Sequence, residues 1–284
     1  MSFDRVGVIG GGTMGAGIAE VSARAGCDVL VLEVSEQALV AARGRIEGSL
    51  GRAVRSGRLL DSEADAVLGR LRFVTDYADL HDRELVIEAA PEDEALKFGI
   101  FRMLDEAAQP AAVLASNTSS IPLVKIAAVT KRPRQVVGVH FFNPVPVLPL
   151  VEIVASLLTD EETLLAVTDF AEKQLHKQTI RSKDRAGFVV NALLIPYLLS
   201  AIRMLESGFA SAEDIDHGMV QGCAHPMGPL ALTDLIGLDT TAAVAQSMYA
   251  EFKEPLFAPP PLLLRMNEAG LLGRKSGQGF FPYQ

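Results

Sequence analysis

One histidine stands where acid–base chemistry is readily done. His140, in Val139-His140-Phe141-Phe142-Asn143-Pro144, closes a β-rich run from Val136 to Phe141. It therefore falls near the C-terminal end of a strand, the edge at which open α/β sheets hold their ligands. Downstream, Leu150-Val151-Glu152-Ile153-Val154 is a second apolar strand interrupted by one carboxylate, and the proline-rich connection from Pro144 to Pro149 is able to bring Glu152 beside His140. An imidazole held by a carboxylate has a fixed tautomer and an acidity suited to proton exchange near neutral pH. His81, His176, His217 and His225 lack that setting.

A second constellation lies at the N-terminus. Gly10-Gly11-Gly12-Thr13-Met14-Gly15 follows the apolar run Arg5 to Ile9 and opens a helix-like stretch, Ala16 to Ala25. This is the strand-turn-helix context in which G-x-G-x-x-G binds a dinucleotide. Gly10 permits the tight turn, Gly12 lets the backbone approach the pyrophosphate, and Gly15 allows helix and sheet to pack closely while Thr13 and Met14 sit at the helix N-terminus. A second strand ends in Glu33, 18 residues after Gly15, where a carboxylate accepts from the adenine ribose hydroxyls and repels a 2′-phosphate. NAD is favoured over NADP, while FAD stays open on the loop alone. Beside a nicotinamide, the His140–Glu152 pair suits hydride transfer, in which a hydroxyl proton must leave as the hydride moves.

Two further polar groups stand out. Ala115-Ser116-Asn117-Thr118-Ser119-Ser120 ends another strand with short hydrogen-bonding side chains, either to recognise a hydroxyl or carbonyl or to cap a helix near Leu123. Asn191 lies alone in an apolar helix and must find a partner or face a cleft.

These residues need elements to hold them. Runs of β-rich sequence at Arg5 to Ile9, Asp28 to Glu33, Leu71 to Val74, Leu85 to Glu88, Val113 to Ser116 and Val136 to Phe141 alternate with helix-length stretches, predicting a mainly parallel sheet with crossover helices. Leu150 to Val154 and Thr179 to Ser182 complete the strand set. Ser35 is a candidate N-cap for a long helix running toward Gly57, and Thr159 to Glu162 has the spacing of a capping box. Past Lys183 to Gly187 the β-rich runs stop, and segments 188–207, 212–221, 229–236 and 239–252 read as helices. Pro196 is expected to kink the first of these. The chain thus divides into an α/β domain over 1–184 and an all-α domain over 185–284, a division that suits 284 residues of 49% apolar content.

Composition narrows the function. A formal charge of -9 argues against nucleic acid or an anionic membrane as partner, so any anionic ligand must meet a local basic site. Cys27 and Cys223 form no ligand spacing, so neither a metal nor a disulfide framework is expected and a reducing cytoplasm fits. The N-terminus has no signal-peptide pattern, and the longest apolar stretch, Val189 to Ile202, is too short for a membrane span.

At these residues the chain resembles the 3-hydroxyacyl-CoA dehydrogenase family, in particular its short stand-alone type. The likeness spans essentially the whole chain and rests on the glycine loop, Ser116 to Ser120, His140 to Pro146, Gly187 to Asn191 and Pro226 to Pro229. It implies a Rossmann-like NAD-binding domain followed by a helical domain that pairs two subunits into a homodimer, with the active site between domains. It also implies interconversion of a short 3-hydroxyacyl-CoA and its 3-keto form. By resemblance His140 is the catalytic base, Glu152 its partner, and Ser119 and Asn191 contact the substrate's oxygens. Glu92, Lys97, Asn117, Ser119, Asn143 and Lys275 match cofactor contacts.

The family holds CoA with a serine and a lysine on the long second helix; Ser49 matches the serine, but Ser56 stands at the lysine position. Arg52, Arg55 and Arg58 recur every third residue along what reads as one helical face, and Arg52 or Arg55 is expected to replace the lysine. The chain as given stops at Gln284, so no hydratase domain is expected beside it. Two rival readings are a dehydrogenase of a free hydroxy acid or sugar acid and a non-catalytic NAD-binding protein.

Overall fold

The apolar runs of the first half become the strands of one eight-stranded sheet in the computed structural model, which describes residues 2–283. In chain order the elements are β1 (Arg5–Ile9), α1 (Thr13–Arg24), β2 (Asp28–Leu32), α2 (Glu36–Arg55), α3 (Asp61–Leu68), β3 (Leu71–Val74), β4 (Leu85–Glu88), α4 (Glu94–Ala107), β5 (Val113–Ser116), α5 (Leu123–Ala128), β6 (Val136–Phe141), β7 (Leu150–Ala155), α6 (Glu161–Asp169) and β8 (Gln178–Lys183). The sheet order is β3-β2-β1-β4-β5-β6-β7-β8. The first six strands are mutually parallel; β7 runs antiparallel to β6, and β8 parallel to β7. Strands such as Leu85-Val86-Ile87-Glu88 are buried throughout because helices cover both faces of a parallel sheet. The order reverses at β1, with β2 on one side and β4 on the other, and that switch point opens the crevice where such sheets bind nucleotides.

Several helix ends depart from the sequence expectation. As expected, Ser35 caps α2 by accepting from the Ala38 N–H at 3.2 Å, and α2 runs to Arg55 before the chain turns at Gly57. Arg58 therefore lies off the helical face shared by Arg52 and Arg55, its Nε donating to Ser56 Oγ. Asp160, not Thr159, caps α6, accepting from Thr163 N, while Thr159 donates to the Val136 carbonyl. The polar loop before Leu123 does not cap α5: its first two amides donate to Asp184 Oδ1 and Oδ2, from 61 and 60 residues away.

The reversal at β7 depends on the connection from Pro144 to Pro149. Lys177, buried just before β8, donates through Nζ to the Val145 and Leu148 carbonyls at 2.7 Å each. Burial, with Arg24 nearby, pulls its ammonium below the usual lysine range.

The contacts divide the chain into units Met1–Asp184 and Arg185–Gln284. The second is built from α7 (Val190–Glu206), α8 (Ala212–Cys223), α9 (Pro229–Ile236), α10 (Leu238–Phe252) and α11 (Pro261–Glu268). They pack around Ile195, Leu199, Ile202, Leu230, Val244 and Met248. Buried Asp234 ties the C-terminal turn to this core, accepting from Phe280 N, Phe281 N and Tyr283 Oη. Among the described residues no helix is long and apolar enough to cross a membrane.

Replacing Lys177 by Met should cost about 2 kcal/mol, since two carbonyls lose their donor in a buried setting; urea unfolding of the two proteins measures it, and equal midpoints would show that Lys177 does not hold the connection.

Candidate active site

His140 and Glu152 are direct cross-strand partners in the β6–β7 register. Facing residues on neighbouring strands send their side chains to the same face, and His140 Nδ1 lies 2.7 Å from Glu152 Oε2. Glu152 is fully buried and His140 nearly so. The Phe142 ring meets the imidazole edge to face, with centroids 4.7 Å apart. A carboxylate only accepts, so Nδ1 carries the shared proton and Nε2 is the nitrogen that can exchange one with a substrate. The backbone is fixed from the next strand: Phe141 N donates to Asn117 Oδ1 at 2.9 Å.

The glycine loop has the shape that a pyrophosphate needs. Gly10 has φ of +88°, and a Cβ there would lie 3.0 Å from the Ala89 carbonyl. A Cβ on Gly15 would stand 1.7 Å from the Gly10 carbonyl oxygen, whereas one on Gly12 would meet nothing within 4 Å. So Gly15 is small because helix and loop touch, and Gly12 opens to space. No side chain caps the N-terminus of α1, where Thr13 and Met14 begin the helix, leaving a helix end suited to an anion. Glu33, just past β2, accepts from Gly11 N at 2.6 Å through Oε1. The residues present therefore fit a dinucleotide.

The loops after β4 and β5 are tied together by Glu92. Its Oε1 accepts from Thr118 Oγ1 at 2.5 Å, Ser120 Oγ at 2.8 Å, and the Ser119 and Ser120 amides at 3.0 Å. Burial opposes its ionisation, but Lys97 and these donors outweigh it and hold the carboxyl below the usual glutamate range. Lys97, although charged, is 1% exposed. It lies 2.5 Å from Glu88 Oε1 and 3.4 Å from Glu92 Oε2.

A cavity of about 320 Å³ lies between α1, α2 and the segment Asn143 to Pro146. Its α2 wall runs from Gly44 through Arg45 and Ser49 to Arg52, and does not extend to Arg55. Arg45, which sequence reasoning passed over, also donates to the Gly11 carbonyl at 3.2 Å.

The first unit thus brings together His140, Glu152, Ser119, Asn117, Asn143, Glu92, Glu33 and the glycine loop at one sheet edge, with Ser49 and Arg52 on the adjoining cavity. Asn191 and Lys275 belong to the second unit: Asn191 is in the first turn of α7, and Lys275 is exposed and paired with Asp239 at 2.6 and 2.5 Å. Glu88 and Lys177 were missed. Glu88 had a signal, a lone carboxylate ending an apolar strand as Glu33 follows another.

A glycine loop at the switch point of a parallel sheet, with a histidine–carboxylate pair on the same edge, defines an NAD-dependent oxidoreductase. Residues 5–185 match the NAD binding domain of 3-hydroxyacyl-CoA dehydrogenase and residues 187–283 match its C-terminal domain. The chain belongs to the 3-hydroxyacyl-CoA dehydrogenase family. It is 60% identical over 283 residues to a 3-hydroxybutyryl-CoA dehydrogenase of Mycobacterium tuberculosis, covering 99% of each chain. A crystal structure of a protein from that organism superposes with a TM-score of 0.99 at 59% identity, covering 100% of both chains. That of (S)-3-hydroxybutyryl-CoA dehydrogenase from Ralstonia eutropha gives 0.94 at 43% identity and 99% coverage of both.

Because the Glu92 carboxyl is depressed, its stabilisation is complete above the ordinary glutamate pKa and disappears as pH falls through the lower folded value. Glu92→Gln should therefore be less stable than wild type by about 1 kcal/mol near pH 7, with the gap closing in acid; urea titrations across pH test this, and a gap independent of pH would show that Glu92 is not charged in its loop.

Proposed function

We propose that this chain interconverts a short (S)-3-hydroxyacyl-CoA, such as 3-hydroxybutyryl-CoA, and its 3-ketoacyl-CoA, in the cytoplasm and as a homodimer paired through its helical unit. The observation that carries the reading is the buried Nδ1–Oε2 contact of 2.7 Å between His140 and Glu152. Glu152 fixes the imidazole tautomer, and His140 Nε2 takes the C3 hydroxyl proton in the oxidative direction and returns it in the reductive one. The ionised partner stabilises the imidazolium that forms. NAD, when bound, supplies the hydride acceptor. Gly10, Gly12, Thr13, Met14 and Gly15 take its pyrophosphate, and Glu33 its adenine ribose. Glu92, Lys97, Asn117, Ser119 and Asn143 serve its other half.

Ser119 also contacts a substrate oxygen, and the resemblance gives Asn191 the same kind of contact and Lys275 one to the cofactor. The cavity supports a CoA thioester: it starts at Asn143, three residues beyond His140, and reaches Ser49 and Arg52. A thioester placed at the histidine directs its arm along α1, toward the guanidinium groups of Arg45 and Arg52, which meet phosphate well. Exposed Leu193 and Phe209 give the helical unit an apolar surface for its twin.

An assay of NADH oxidation with acetoacetyl-CoA against acetoacetate tests the substrate class, and equal activity on the free acid would sink the thioester reading. His140→Gln should lower kcat about 1,000-fold with NADH binding kept, and Glu152→Gln should lower it by at least about 100-fold; a fully active Glu152→Gln enzyme would leave the mechanism without its orienting group. Since the cavity stops short of Arg55, Arg52→Ala should raise KM for acetoacetyl-CoA about tenfold, the loss of one charge-assisted contact, and Arg55→Ala should change it little. The opposite ranking would place the CoA phosphates further along α2.

A further inference from the structure

On α2 stands a cation that touches both the glycine loop and the cavity beside it. Arg45 is exposed and lines the cavity together with Ser49 and Arg52. Its Nη1 donates to the Gly11 carbonyl at 3.2 Å. Arg43, two residues earlier, pairs with Glu47 at 2.8 Å, the usual arrangement of charges one helical turn apart. Arg45, among the described residues, has no carboxylate partner and no side-chain bond besides the one to Gly11. A guanidinium carries five N–H donors in a planar fork. One serves Gly11, and the others remain for a ligand in the cavity.

Gly11 is held through both of its backbone polar groups. Its N–H donates to Glu33 Oε1 at 2.6 Å, and its carbonyl accepts from Arg45. It lies so close to α2 that a Cβ would stand 2.3 Å from the Ala42 Cβ, and Ala42 is the neighbour of Arg45 one turn earlier on that helix. The next residue, Gly12, is open to space. Because the peptide unit is planar, the direction of the Gly11 carbonyl also sets the direction in which the Gly12 N–H points.

A helix needs no arginine to touch a loop at one carbonyl, since a neutral amide donor would do the same. What the guanidinium adds is a second set of donors for an anion. We propose that Arg45 is a positioning residue shared by the two binding sites, so that CoA phosphates in the cavity and the dinucleotide on the glycine loop strengthen each other's binding. An exposed arginine loses rotamer freedom when it holds one partner. A phosphate that fixes the guanidinium takes up that loss, the bond to Gly11 then forms without it, and the loop is ordered before the dinucleotide arrives. Repulsion between the two anionic ligands works the other way, and physiological salt screens it beyond about 8 Å. Arg52 lines the same cavity without a bond to the loop, so it holds CoA and transmits nothing. The inference rests on the reading that this cavity takes the CoA of the substrate.

The test uses CoA itself, which has no acyl group to turn over, and pantetheine, which has the arm without the phosphates. Fluorescence titration at physiological salt gives the NADH Kd of wild type, Arg45→Met and Arg52→Ala, each alone and at saturating CoA or pantetheine, and urea unfolding checks the fold of each variant. Saturation is judged by competition with acetoacetyl-CoA. In wild type, CoA should lower the NADH Kd about fivefold and pantetheine should leave it unchanged. In Arg45→Met the NADH Kd should be the same with and without CoA, whereas Arg52→Ala should need more CoA and keep the fivefold effect. Linkage requires NADH to tighten CoA by the same factor, which the reverse titration checks. A wild-type NADH Kd that CoA leaves unchanged or raises, full coupling in folded Arg45→Met, or full coupling by pantetheine would each overturn the role of Arg45. CoA that competes with acetoacetyl-CoA without coupling removes only that role, while CoA that fails to compete removes the thioester reading with it.

Discussion

Parallel strands all end at one edge, and the chemistry of this protein hangs on that constraint. Glu33, the glycine loop, Glu88, Asn117 and His140 lie at or just beyond the ends of five different strands, yet share one edge because β1 to β6 run the same way. A carboxylate partner for His140 cannot come from another parallel strand without a long crossover. The chain instead doubles back: β7 pairs antiparallel with β6, and Glu152 arrives opposite His140 in register. Lys177 holds the short connection that makes the reversal possible.

The sequence exposed this plan where side-chain pattern and local turn chemistry act alone. The strand runs at Leu85 to Glu88 and Val136 to Phe141 stand where the sheet has them, and the glycine spacing carries its own steric reason, seen in the contact that a Gly15 side chain would make with the Gly10 carbonyl. His140 and Glu152 were readable as a pair because two apolar strands with one polar residue each were separated by a short proline-rich link. Reading failed where partners come from far along the chain. Asp184 caps α5 from about 60 residues away, which no local motif announces. Arg58 kept the three-residue spacing of Arg52 and Arg55, but the helix had ended, because Gly57 turns the chain.

Lys97 shows a different limit. Its position on α4 gives no hint of burial, whereas the fold places it between two carboxylates. Burial of charge is decided by tertiary packing, which composition does not encode. The same holds for electrostatics at large: a chain of net charge -9 still gathers Arg45 and Arg52 on the wall of one cavity. Net charge governs encounter with polyanions, while recognition of a single anionic ligand is set by the few cations it meets.

The catalytic pair and the dinucleotide cradle make unequal demands on the folding chain. His140 and Glu152 are only 12 residues apart, so their contact closes a short loop, whereas β1 must find β4 past the whole of β2 and β3 before the glycine loop has its floor at Ala89. Loop-closure entropy grows with the length enclosed, and contacts between distant segments form late. The proton-handling half of this enzyme is therefore the topologically local half, and the cofactor-handling half is the one that waits for the chain to be threaded together.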